Sequence, residues 1–258
     1  MDYETLLARI EGGVGIITLN RPEVMNALNK QMRAELTHAL KDLGVRSRVL
    51  VLTGSGRAFC SGQDLGDGGN AAQIDLERTL REEYEPMLRA IYDAPVPVIA
   101  AVNGSAAGAG ANLALAADVV IAAHSASFIQ AFSRIGLIPD AGGTWFLPRQ
   151  IGFARAMGAM LFAEKISAQQ AADWGMIWEA VADDSFEDAW TARARLLAQG
   201  PTVAYRNIRK ALRTSLANTL DAQLALEARL QAEAGKTRDF QEGVLAFLEK
   251  RPAEFEGR

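Results

Sequence analysis

The stretch Pro95-Val96-Pro97-Val98-Ile99-Ala100-Ala101-Val102-Asn103-Gly104-Ser105-Ala106-Ala107-Gly108-Ala109-Gly110-Ala111-Asn112-Leu113-Ala114-Leu115 decides the fold. Its first half is a continuous β-branched and small apolar run, the mark of a strand buried on both faces. The two prolines sit at the entry end, where a missing N–H is tolerated. The middle holds only small residues, which lets backbones approach closely, and a helix is expected to start inside it. Asp118 to Ala123 then reads as a further buried strand.

The same order of buried strand, glycine-rich loop and helix occurs earlier in the chain. Val14-Gly15-Ile16-Ile17-Thr18-Leu19 reads as a strand and Asn20-Arg21-Pro22-Glu23 as the turn after it. Asn29 to Leu43 carries a helical pattern with Met32, Leu36, Ala39, Leu40 and Leu43 on one side. Val49 to Thr53 is a second buried run, followed by a glycine-rich loop from Gly54 to Leu65. Gly66 to Asn70 is expected to be mobile, and Ile74 to Tyr92 to form an amphipathic helix. A layered α/β core follows from this alternation. After Phe153 there is almost no strand signal, and helical patterns run to the end with a break at Gly200-Pro201. The expected organisation is a core over residues 1–200 and a helical subdomain over 201–258.

Composition excludes several classes. The 258 residues are 49% hydrophobic and 22% charged, the balance of a globular protein with a large core. A net charge of −4 with no basic stripe disfavours nucleic acid as a partner. One cysteine, Cys60, excludes an internal disulfide and fits a reducing compartment; with the acidic start Met1-Asp2-Tyr3-Glu4, a cytoplasmic location is expected. Val96 to Ala123 is broken by Asn103, Gly104, Gly108, Gly110 and Asp118, so no membrane span is expected. Two histidines, His38 and His124, are too few for a structural zinc site, and no metal is expected.

Familiar catalytic motifs fail. Gly235-Lys236-Thr237 ends like a phosphate-binding loop, but Leu230 stands where the motif needs glycine. There is no Gly-x-Gly-x-x-Gly and no Gly-x-Ser-x-Gly. The informative feature is that two small-residue segments each follow a buried strand. Two backbone N–H groups converging from such loops make an oxyanion hole. Tight strand–helix packing is the competing use of the same glycines.

Three blocks resemble the enoyl-CoA hydratase/isomerase (crotonase) superfamily. They are Ala58-Phe59-Cys60-Ser61-Gly62-Gln63-Asp64-Leu65, Ala101-Val102-Asn103-Gly104 with Ala106, Gly108 and Gly110, and Gly136-Leu137-Ile138-Pro139-Asp140-Ala141-Gly142-Gly143-Thr144. Asn20-Arg21-Pro22, Met25-Asn26-Ala27-Leu28 and the tail around Ala246-Phe247-Leu248 match in order, so the likeness covers essentially the whole chain. It implies a layered ββα spiral core with a C-terminal helical region, and an acyl-CoA thioester substrate. The thioester oxygen is then held between backbone N–H groups that fall on Gln63 and Ala109. No separate cofactor is implied, because CoA is part of the substrate.

Hydratases of this family carry two glutamates, and the matching positions here are Asn112 and Phe132. Adding water needs both an activated water and a proton donor. One carboxylate remains nearby, Asp140. By residue type alone it is also a good turn residue before Ala141-Gly142-Gly143. With both glutamates missing, the reading favoured is a single base that takes a proton beside the thioester and returns it two carbons further along. Asn112 stays open between a packing role and a substrate contact.

The run from Phe128 to Arg149, then Ala154 to Gly158 and Trp174 to Trp178, resembles the family's isomerase branch that acts on the ring-1,2-epoxide of phenylacetyl-CoA and yields an oxepin-CoA. A Δ3–Δ2 enoyl-CoA isomerase is the alternative enzyme. A non-catalytic acyl-CoA-binding or assembly subunit is the alternative outside enzymes. By motif position, Met25 and Ala27 fall near the adenine of CoA, and Ser61, Asp64 and Leu65 along the pantetheine. Phe247 and Lys250 match tail residues that reach a neighbouring subunit's CoA, in homotrimers or homohexamers.

Overall fold

The computed structural model describes residues 2–66 and 75–258. Beyond Gly66, the stretch expected to be mobile lies outside those residues, as does Ile74 at the start of the expected helix. The chain opens with the hairpin β1 (Leu6–Glu11) and β2 (Val14–Leu19), followed by α1 (Lys30–Arg46), β3 (Val49–Gly54) and β4 (Ala58–Cys60). A bent helical stretch comes next: α2 (Leu76–Thr79), a π-turn (Leu80–Tyr84) and α3 (Glu85–Tyr92). Then come β5 (Val98–Val102), β6 (Ser105–Ala107), α4 (Ala109–Leu115), β7 (Val119–Ala123) and β8 (Ser127–Ile129). After α5 (Gly143–Phe162) follow β9 (Ile166–Ser167), α6 (Ala168–Asp173), β10 (Glu179–Val181) and α7 (Phe186–Ala198). The chain ends in α8 (Thr202–Ser215), α9 (Leu220–Ala234) and α10 (Arg238–Glu249).

Two sheets form the core. One has the order β1-β2-β3-β5-β7-β10, the other β4-β6-β8-β9. In the first, β2, β3, β5, β7 and β10 are mutually parallel and β1 runs against β2; in the second, β4, β6 and β8 are parallel and β9 runs against β8. Each of β3, β5 and β7 is followed after a short turn by a strand of the second sheet, and then by helical structure. This strand–strand–helix repeat is the ββα spiral expected from the resemblance. The central strands are apolar on both faces: all five residues of β5 are buried, with Val98 through Val102 at 0% exposure. Burial on both sides explains why they read as continuous runs rather than as alternation.

The sequence after Phe153 carries almost no strand signal, yet β9 and β10 lie there and close an edge of each sheet. β9 is two residues long and all three residues of β10 are half-buried, so neither is an apolar run. α7 and α8 do separate at Gly200-Pro201. The helical tail is tied back to the core by Arg48, which donates to the carbonyls of Gly200 and Phe255 at 2.5 and 3.0 Å. Arg209 and Arg213 on α8 likewise grip Asp118, each at 2.7 Å. No helix among the described residues is long and apolar enough to cross a membrane.

Candidate active site

The two glycine-rich loops meet where β4 and β6 end. Gly62 has φ +94°, and a Cβ there would lie 2.8 Å from the Ala107 carbonyl and 3.3 Å from the Ala109 nitrogen. Only glycine lets the strand end pass this close to the start of α4. Gly110 serves the same approach from the other side, since a Cβ on it would sit 2.3 Å from the Cys60 carbonyl. Gly108, with φ +53°, turns β6 into α4 and donates its N–H to Ile129 O at 2.8 Å. Ala109 is the first residue of α4, so its N–H has no acceptor within the helix.

Gln63 forms an isolated parallel bridge with Leu28. Leu28 N–H donates to Gly62 O at 2.8 Å, and Asp64 N–H donates to Leu28 O at 3.2 Å. The peptide groups flanking Gln63 therefore face Leu28, and its own N–H lies on the opposite edge. The structure thus brings Gln63 and Ala109 into adjacent loops with amides free of these ladders. Two such donors suit an oxygen that gains negative charge.

Asp140 follows Pro139 in a turn whose next two residues, Ala141 and Gly142, have φ +48° and +78°. A positive φ at alanine is a strained backbone, and it is held here. The Asp140 carbonyl accepts from Gly143 N–H and from Asn112 Nδ2, both at 2.8 Å. Asp140 lines a cavity of about 650 Å³ whose wall is mostly apolar, with Tyr84, Leu88, Trp145 and Phe146, and also includes Arg81, Glu85 and Arg89. The carboxyl oxygen Oδ1 is buried and has no hydrogen-bond partner among the described residues. Burial raises this carboxyl from 3.8 to about 6, because the charged form loses solvation. A carboxylate with a value near neutrality in a mostly apolar cavity is suited to take and return a proton.

Asn112 is 0% exposed, and both ends of its amide are engaged. Nδ2 holds Asp140 O, and Oδ1 accepts from Gln130 Nε2 at 2.8 Å. Of the two roles left open for it, the structure supports packing: Asn112 acts on the turn of Asp140 and does not line the cavity. Gly143 is needed beside it, since a Cβ there would fall 2.3 Å from Nδ2. Phe132, at the second glutamate position, is buried with its ring edge against Gly108. Trp145 packs edge-to-face on Phe146 and Tyr92 with ring centres 5.0 and 5.8 Å apart.

The residues expected along CoA form one rim. Ser61 N–H donates to Met25 O at 3.0 Å and Ser61 Oγ to Val24 O at 3.2 Å. Ala27 is buried behind this rim and its carbonyl accepts from Arg21 Nη1 at 2.6 Å. Asp64 pairs with the same Arg21 at 2.8 Å, and its carboxyl stays below the ordinary range: burial opposes this, but the Arg21 and Gly66 hydrogen bonds outweigh it. Leu65 is exposed at the tip. Phe247 and Lys250 lie on a different element: Phe247 near the end of α10 is 82% exposed, and Lys250 caps that helix with φ +56°. No hydrogen bond among the described residues ties them to the rim.

Other chemistry-bearing residues fall outside the site. Cys60 is fully buried, and burial pushes its thiol up to about 12, so it packs rather than reacts. His38 shares a 2.8 Å hydrogen bond with the Tyr3 hydroxyl on the exposed side of α1. Gly235-Lys236-Thr237 joins two helices, with Thr237 capping α10. Among the described residues no three His, Cys, Asp or Glu side chains are grouped to hold a metal ion. Sequence reasoning missed Arg21, Asn26, Arg33, Tyr84 and Gln130. Three of these have a signal: Arg21 within Asn20-Arg21-Pro22, Gln130 within the run from Phe128 to Arg149, and Asn26 within Met25-Asn26-Ala27-Leu28. Asn26 is fully buried at φ +55° and donates to the Ser55 and Ala58 carbonyls.

With this geometry in view, the chain belongs to the enoyl-CoA hydratase/isomerase family, whose model matches residues 9–258. A Rhodobacter capsulatus protein named "Probable enoyl-CoA hydratase" is 66% identical over 258 residues, covering 100% of both chains. The 1,2-epoxyphenylacetyl-CoA isomerase of Escherichia coli K12 is 48% identical, covering 99% of each. Among solved structures, the enoyl-CoA hydratase of Bacillus anthracis superposes with a TM-score of 0.91 at 32% identity, covering 99% of this chain and 100% of that one. The protein is accordingly an enzyme of enoyl-CoA chemistry with the crotonase fold.

Proposed function

We propose that the protein is an acyl-CoA isomerase whose base is Asp140, and that its substrate is ring-1,2-epoxyphenylacetyl-CoA. The observation that carries this reading is the asymmetry of the cavity wall. Half-buried Asp140, with a buried Oδ1 that has no partner among the described residues, lines it, while the two positions matched to hydratase glutamates hold Asn112 and Phe132 and contribute no carboxylate. The arene epoxide opens to its oxepin tautomer by moving electron pairs within the ring, with no nucleophile. Asp140 then removes a proton from the carbon beside the thioester. The negative charge goes to the thioester oxygen, where Gln63 N–H and Ala109 N–H stabilise it. The proton returns to the ring carbon two positions further along, leaving a double bond conjugated to the carbonyl. Atoms and charge are conserved within one molecule, so the reaction calls for no cofactor or metal.

The apolar and aromatic lining of the cavity suits a ring substrate, and the Escherichia coli relative carries the name of this activity. A Δ3–Δ2 enoyl-CoA isomerase uses the same proton path on an alkyl chain. Oligomerisation as a trimer or hexamer is supported by exposed apolar side chains on the tail, including Leu212, Leu216, Leu220 and Phe247 at 67–82% exposure. The deciding experiment incubates the enzyme with the epoxide, with 3-enoyl-CoA and with 2-enoyl-CoA. An isomer of unchanged mass from the epoxide is the expected product. Addition of water to 2-enoyl-CoA as the fastest reaction refutes the proposal, and binding without turnover of any ester identifies a non-catalytic subunit.

A further inference from the structure

The cavity wall contributed by the π-turn holds a residue that the proton path does not use. Tyr84 is 2% exposed and donates its hydroxyl to Gln63 Oε1 in a short hydrogen bond. The same Oε1 accepts from Arg33 Nη1 at 3.1 Å. Arg33 itself lies over the Tyr84 ring at 5.1 Å, is paired with Glu83 at 2.7 Å and donates to Leu28 O. Leu28 is the residue that pairs with the Gln63 backbone. The side chain and the backbone of Gln63 are therefore both fastened to one buried cluster, and the two donors on Oε1 come from different helices.

The cluster has a cause in the sequence. Pro86 stands inside the helical stretch, where proline lacks an N–H and crowds the preceding turn. The backbone widens just before it, and Glu85 N–H reaches Leu80 O, five residues back. Single wide turns of this kind recur at functional sites. Here the widened turn ends on Glu83 and Tyr84, neighbours in sequence that both reach the Arg33–Gln63 cluster.

We infer that Tyr84 is a positioning residue for catalysis: its hydroxyl, with Arg33, clamps the Gln63 carboxamide and so aims the Gln63 N–H at the thioester oxygen, coupling the acyl-cavity wall to the anion pocket. Tyr84 does not exchange a proton in this role, consistent with burial that raises its hydroxyl further from neutrality. The inference rests on the anion-pocket part of the proposed function and not on which ester is the substrate.

The test is Tyr84→Phe in the full-length enzyme, assayed on the ester that the unmodified enzyme isomerises best. A misaimed donor lowers kcat by roughly 10–100-fold, less than loss of a donor outright. KM is expected to stay within about threefold, since the hydroxyl does not touch the CoA rim. The acid limb of the pH profile stays in place, because Asp140 still sets it. Carbonyl polarisation is read separately with 4-(dimethylamino)cinnamoyl-CoA, whose absorbance moves to the red when its thioester oxygen is hydrogen-bonded. The red shift is expected to shrink in Tyr84→Phe. Gln63→Met removes the shared acceptor, and the double variant is expected to be no slower than the slower single variant. Full kcat and an undiminished red shift in Tyr84→Phe overturn the inference, and so do strictly additive losses in the double variant. A red shift without isomerisation in the unmodified enzyme rejects the proposed function alone. No red shift in the unmodified enzyme rejects the anion pocket and this inference with it.

Discussion

Asn112 Nδ2 donates to the backbone carbonyl of Asp140 at 2.8 Å, three residues along α4 from Ala109, whose N–H is the one proposed for the anion pocket. One short helix thus fixes both halves of the proposed site, the donor for the oxyanion and the turn that carries Asp140. The residue doing this occupies the position of a hydratase glutamate. Replacing it with glutamate therefore does not restore hydration. A glutamate at 112 has no side-chain N–H to offer Asp140 O, and it is one methylene longer at a fully buried position. Asn112→Glu is expected to lower isomerisation roughly 10²-fold, the scale of a small misplacement of a reacting group, and to give no hydroxyacyl-CoA from 2-enoyl-CoA. Product analysis by mass spectrometry checks both halves of this expectation.

Asp140→Asn removes the proposed base while keeping its shape. Turnover is expected to fall roughly 10²–10⁴-fold, the range general base catalysis supplies. Binding of a saturated acyl-CoA, measured calorimetrically, is expected to change little, because the rim proposed for CoA, with Met25, Ser61 and Asp64, is built elsewhere.

The unmodified enzyme is expected to lose activity in acid with a midpoint near the Asp140 value of about 6. The base works only when ionised, so kcat/KM rises with pH through that point and then levels. This limb is expected to be absent from the residual activity of Asp140→Asn. A limb that persists there assigns the titration to another group.

Most of the larger sheet is legible in the amino-acid sequence, because β2, β3, β5 and β7 are long apolar runs buried on both faces. The second sheet is not. β4, β6 and β8 have three residues each, drawn from alanine, serine, cysteine, phenylalanine and isoleucine, and become strands only through pairing across loops. Of the proposed site, Asp140, Gln63 and Ala109 are reached through motif likeness. The Arg33–Tyr84–Gln63 cluster is not, since Arg33 and Tyr84 look like ordinary residues of amphipathic helices. Their partners lie 30 and 21 positions away in sequence. Asn112 is legible as a position but not as a role, which depends on the backbone of a turn 28 residues on.

Gly62→Ala tests the loop approach directly. The substitution forces a Cβ at φ +94° and to 2.8 Å from Ala107 O, so the loops must separate. A loss of about 2 kcal/mol in unfolding free energy is expected from strain and overpacking. Activity is expected to fall further than stability explains, because the separation moves Gln63 away from Ala109. Denaturant unfolding and kcat, measured on the same preparation below the unfolding transition, separate the two effects.

Asp140 also sets a stability relationship with a definite sign. Its folded value, about 6, lies above the ordinary 3.8, so folding favours the protonated form. The protein is then relatively more stable below about pH 4, and that contribution disappears as pH rises through about 6. Above that point the buried charge destabilises the native state by on the order of 2 kcal/mol, with its partial contact with solvent taken into account. Asp140→Asn removes the charge without removing volume. It is therefore expected to raise Tm by roughly 4–8 °C at pH 8, on the scaling for a chain of this size, even as turnover falls. At pH 4 the two proteins are expected to melt together. Thermal unfolding of both across pH 4–8 checks this, and equal melting at pH 8 shows that the carboxylate is solvated rather than held in a dry cavity wall.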